Sequence, residues 1–71
     1  MNAQQWIERF AAELGVAPPT AEEFDALLGL AANAAHGSER TAAPVACWLA
    51  AKAGVAPDDA RNRSARISPS P

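Results

Sequence analysis

Alanine supplies more than half of the apolar residues in this chain, and that limits the core it can build. Apolar residues make up 49% of its 71 positions; 19 of them are alanine, and only 16 are larger. A chain of this size forms one domain. It buries only about 60% of the surface that its unfolded form exposes. Without disulfides or a metal, such a domain is marginal or leans on a partner.

The helix punctuation is legible, and no stretch alternates β-branched and polar residues as a strand requires. The expected fold is therefore all-α, a small bundle of three helices plus a weak fourth. Asn2 with Gln5 and Thr20 with Glu23 have capping-box spacing, and Gly15 and Gly54 are left-handed terminators. Helix 1 follows Asn2, and its stripe of Trp6, Ile7, Phe10 and Leu14 is expected in the core. Helix 2 runs from Thr20 to Gly37. Phe24, Leu27, Leu28, Ala31 and Ala35 form its expected buried face, with Leu30 off the stripe. Helix 3 runs from about Ala42 to Ala53. The helical domain spans residues 1–56, a weak helix with Ala60, Ser64 and Ile67 inward covers 57–67, and 68–71 form a disordered tail. Gly-Val-Ala-Pro occurs at 15–18 and again at 54–57, which reads as one helix stop used twice.

Charge and residue counts exclude several function classes. Residues 1–60 hold all eight carboxylates against Arg9, Arg40 and Lys52, while Arg61, Arg63 and Arg66 follow in the tail. An acidic body does not suit nucleic acid, which is held by neutralising phosphates. Asp58 and Asp59 ahead of the three arginines match the order that complements a helix dipole. One cysteine and one histidine cannot build a disulfide framework or a multi-histidine metal centre. The start carries no secretory pattern, and the uncharged run from Thr41 to Ala51 would span only about 16 Å as a helix. A cytoplasmic protein with no cofactor, no metal and no membrane segment is expected.

No catalytic residue emerges. Ser38, His36 and Glu39 crowd one tight loop without an oxyanion hole, and Glu22 and Glu23 occupy a first helical turn, where acids complement the dipole. Two candidate sites remain. His36 and Arg40, where helix 2 gives way to helix 3, either line a small anion site or cap the last carbonyls of helix 2. Helix 3 is apolar nearly all round, with Lys52 its one charge. Val45, Leu49 and Ala53 form one strip suited to packing on helices 1 and 2. Pro44, Cys47, Trp48 and Ala51 form a neighbouring strip that needs another cover, either the fourth helix or a partner.

Ala35-His36, Arg40 and Ala42-Ala43-Pro44, preceded by Trp6, Leu14-Gly15 and Leu27-Leu28-Gly29-Leu30-Ala31, resemble a small bacterial domain family of unknown function. That family occurs free-standing and as a C-terminal extension of the molybdenum-cofactor guanylyltransferase. Thr41 stands where the family usually has proline, and Val45-Ala46-Cys47-Trp48 where it has Leu-Thr-Thr-Phe. The resemblance implies a role near molybdopterin guanine dinucleotide synthesis and no catalytic residue. The leading expectation is a non-enzymatic accessory module that docks through the Pro44-Cys47-Trp48-Ala51 strip on a protein partner, such as the guanylyltransferase, or on a second copy. The alternative is a binder of a small phosphorylated ligand at His36 and Arg40.

Overall fold

The computed structural model describes residues 1–67. It contains four helices and, among the described residues, no strand: α1 (Ala3–Leu14), α2 (Ala21–Gly37), α3 (Ala42–Ala53) and α4 (Pro57–Ser64). The expected tail at 68–71 lies outside the described residues. Both capping boxes form. Asn2 Oδ1 accepts from the Gln5 N–H at 2.8 Å while the Asn2 N–H donates to Gln5 Oε1 at 3.0 Å. Thr20 and Glu23 repeat the exchange at 3.1 and 2.8 Å. Gly15 and Gly54 adopt φ of +74° and +70°, which lets Val16 and Val55 donate back to Ala11 and Ala50 at 3.0 and 3.1 Å. The repeated tetrapeptide is thus one stop motif used twice.

The hub is α2, along which both α3 and α4 pack. The flank facing α4 is built from small and polar residues. Ala26 and Ala60 are buried, and a Cβ added at Gly29 would sit 2.6 Å from Arg61 Cδ. Asn33 Nδ2 donates to the Arg61 carbonyl at 3.3 Å and to Ser64 Oγ at 3.0 Å, tying the two helices together. Toward α3, the Cys47 Sγ lies 4.0 Å from the Leu27 carbonyl. The helix at 57–67 is therefore shorter than expected but well seated. Ala60 and Ser64 face α2, whereas Ile67 lies beyond its end and is exposed.

This arrangement corrects the expected inner face of α2 at two positions, while Phe24, Leu27, Ala31 and Ala35 are half-buried. Leu30 is 4% exposed and Leu28 57%, the reverse of their assignment. With two helices clamped on it, α2 turns the arc between its two seams inward. At 100° per residue, Ala26, Leu30 and Asn33 fall on that arc, while Leu28 points away from it.

Helix α1 has no comparably extensive packing with any other helix. Trp6, Phe10 and Leu14, expected in the core, are exposed; Ile7 is half-buried and Ala11 buried. Trp6 and Phe10 lean on each other instead, with ring centroids 5.2 Å apart. On α3, Val45 and Leu49 are more than half exposed, and Ala53 is exposed too. The half-buried residues are Ala42, Ala43, Ala46, Cys47 and Ala50, of which the last four form a seam at helical spacing. Small residues seat α3 and leave its larger side chains outside. The molecule spans 40 × 24 × 18 Å and exposes 5471 Å², about 30% more than a compact monomer of this mass. Among the described residues Leu30 is the one buried side chain larger than alanine.

Candidate functional site

The outer face of α3 carries the densest group of the expected site residues. Pro44, Trp48 and Ala51 are exposed there, and Trp48 is 59% exposed. Cys47 stands apart from them, half-buried against α2, and burial pushes its thiol pKa up because the thiolate loses hydration. Val45 and Leu49, assigned to the inward strip by sequence, complete the exposed face instead. The Lys52 ammonium lies 4.8 Å from the Trp48 ring centroid, an attraction between cation and ring that holds the indole against its own helix. The result is an apolar ridge of Val45, Trp48 and Leu49 edged by one cation.

At the junction of α2 and α3, His36 and Arg40 are both exposed. Among the described residues, neither side chain has a hydrogen-bond or ion-pair partner. The backbone there is occupied. The Ala42 N–H donates to the Glu39 carbonyl at 2.9 Å and the Ala43 N–H to the Arg40 carbonyl at 3.1 Å. Pro44 has no N–H to offer, so the start of α3 presents few free donors to an anion. Thr41 makes no side-chain cap.

A second feature lies where α1 stands off from the rest. A groove of about 840 Å³ opens there, walled by Phe10 and Leu14 of α1, by Phe24, Leu27 and Leu28 of α2, and by Ala51 of α3. Its walls are overwhelmingly apolar. Glu23 and Pro57 of its lining are shared with a smaller adjoining depression that also carries Glu22 and Asp58. Neither lining contains a basic residue. Among the described residues the one ion pair joins Asp59 to Arg63 on α4, at 3.1 Å. The carboxylates of Glu23 in the groove and of Glu22 and Asp58 in the adjoining depression are thus left without a cation.

Sequence reasoning missed this groove because it placed the α1 stripe and Leu28 in the core. The available signal was the alanine seam of α3 and the run of Ala26, Gly29 and Asn33 on α2, which mark where helices approach closely and hence where the larger side chains do not go. Among the described residues no group of three metal-ligating side chains comes together. No helix among them is long and apolar enough to cross a membrane.

Compared with known families, residues 1–69 match the model of a domain of unknown function, DUF6457. No curated protein and no solved structure matches the chain.

Proposed function

The chain belongs to this family, DUF6457, and we propose that it works as a non-enzymatic helical interaction module, docking through the outer face of α3 on a protein of molybdenum-cofactor synthesis. The observation that carries this reading is the exposure of Val45, Trp48 and Leu49 at 56%, 59% and 54% on one helix. Large apolar side chains grouped on one exposed face mark an interaction site, and tryptophan is the residue most enriched where binding energy concentrates. The surface in excess of a compact monomer is on the order of 1,000 Å², comparable to one side of a standard interface. The resemblance carried by Ala35-His36, Arg40 and Ala42-Ala43-Pro44 supplies the partner: the molybdenum-cofactor guanylyltransferase.

Calorimetric titration of the guanylyltransferase with this protein tests the proposal. Binding is expected for the native chain, and Trp48→Ala should weaken it by about thirtyfold, the scale of an anchor residue at a hot spot. Trp48 is exposed, so the substitution leaves the fold intact, which circular dichroism verifies. Native affinity in Trp48→Ala removes the α3 surface from the account. Absence of binding by the native chain removes the partner. A second copy docking on the same face would appear as a dimer by light scattering that Trp48→Ala dissolves.

A further inference from the structure

From the groove between α1 and α2 we infer a second, separate docking site, one that takes a basic amphipathic helix of a partner protein. Three observations fix the class of occupant. First, the walls are apolar and open: Phe10, Leu14 and Leu28 are 46%, 59% and 57% exposed, whereas a small-molecule site encloses most of its ligand. Second, α1 supplies one wall with 12 residues, about 18 Å of helix, which matches three turns of a docked helix inserting anchors at i, i+3 or i+4, and i+7. Third, Glu23 in the groove's lining and Glu22 and Asp58 in the adjoining depression form an acidic edge, with no cation in either lining. Lysine or arginine flanking the apolar stripe of the incoming helix pairs with them and fixes its direction in the groove.

The same charges disfavour a groove-to-groove dimer. A two-fold interface uses one patch on both copies, so a second copy brings three more carboxylates and no cation from that patch. The groove is also distinct from the α3 ridge. It shares only the edge residue Ala51 with the outer face of α3 and leaves Val45, Trp48 and Leu49 free.

The probe is a 14-residue leucine and lysine peptide with leucines at helical spacing, titrated into the full chain and followed by NMR of the leucine and valine methyls. A leucine and glutamate analogue with the same pattern is the control. The lysine peptide should shift Leu14, Leu27 and Leu28 and leave Val45 and Leu49 unmoved, and the glutamate peptide should bind at least tenfold more weakly. Glu22→Gln, Glu23→Gln and Asp58→Asn together should reduce the lysine peptide's affinity about tenfold, the scale of three exposed ion pairs. A glutamine side chain still accepts from the Thr20 N–H in the capping box, so the triple variant folds. Phe10→Ser should remove binding, and Trp48→Ala should leave it unchanged. Equal affinity for both peptides, shifts confined to Val45 and Leu49, or groove methyls that respond to protein concentration alone would overturn the proposal. Peptide binding without guanylyltransferase binding would remove the guanylyltransferase as the partner of α3 and leave this proposal standing.

Discussion

Replacing Leu30 by alanine should nearly unfold this protein, while the same change two positions earlier should be mild. Leu→Ala removes three carbons, and at about 0.8 kcal/mol for each the transfer cost is about 2.4 kcal/mol at a fully buried site. Leu30 is 4% exposed on α2, the helix along which both α3 and α4 pack, so the residual cavity raises the cost to about 3 kcal/mol. Leu28 is 57% exposed and lines the open groove, which cuts the same transfer to about 1 kcal/mol and leaves no cavity. A domain of this size holds only about 3 to 5 kcal/mol in total. With an m-value near 1 kcal/mol per molar urea, Leu30→Ala should lower the midpoint by about 3 M and Leu28→Ala by about 1 M. Urea titration followed by circular dichroism at 222 nm reads both. If the two variants lose equal stability, or Leu28→Ala loses more, the inward arc of α2 is wrongly drawn and the groove with it.

Other substitutions probe the seams. Asn33→Ala removes donors to the Arg61 carbonyl and Ser64 Oγ and should cost about 1 to 2 kcal/mol, with hydrogen exchange accelerating in α4 before it does in α3. Gly29→Ala should stabilise by about 1 kcal/mol in an Arg61→Ala background, where only helix propensity acts, and by clearly less in the native chain, where the new Cβ meets the Arg61 stem. A double-mutant cycle by urea melts checks this. Burial raises the Cys47 thiol pKa, so alkylation at neutral pH should run slower than for the unfolded chain. The folded state then holds its proton to higher pH than the unfolded state does. That contribution to stability is complete below the unfolded pKa and is lost as pH rises through the folded one, an effect that Cys47→Ser abolishes.

The ends of the helices were readable from sequence because their determinants are local. A cap side chain and the N–H it accepts from are three residues apart, as at Asn2 with Gln5, and a left-handed glycine ends a helix whatever packs nearby. Which side of α1, α2 and α3 faces inward was not fully readable, because that depends on partners distant in sequence; for α4 the expected inner residues Ala60 and Ser64 do face α2. The stripe of Phe24, Leu27 and Leu28 is the more hydrophobic side of α2, yet Ala26, Gly29, Leu30 and Asn33 face the neighbours. The reason is steric: small residues let α4 approach closely, and Asn33 finds both its acceptors about 30 residues downstream. The same substitution of small for large occurred on α3, where four seam positions at 43, 46, 47 and 50 seat the helix and Val45, Trp48 and Leu49 remain outside. For the candidate site, the need for a second face on α3 was legible from its nearly uncharged sequence. Its makeup was legible in part: Pro44, Trp48 and Ala51 are exposed there, Cys47 is half-buried against α2, and Val45 and Leu49 join the face instead of the seam.

The central claim is that the exposed face of α3 becomes covered by a partner. Tryptophan emission measures it directly in a Trp6→Phe variant, in which Trp48 is the sole indole. Trp48 in the free protein should emit as a solvated ring, and excess molybdenum-cofactor guanylyltransferase should shift that emission to shorter wavelength in a saturable titration. Emission that stays unchanged at saturating partner would contradict the account.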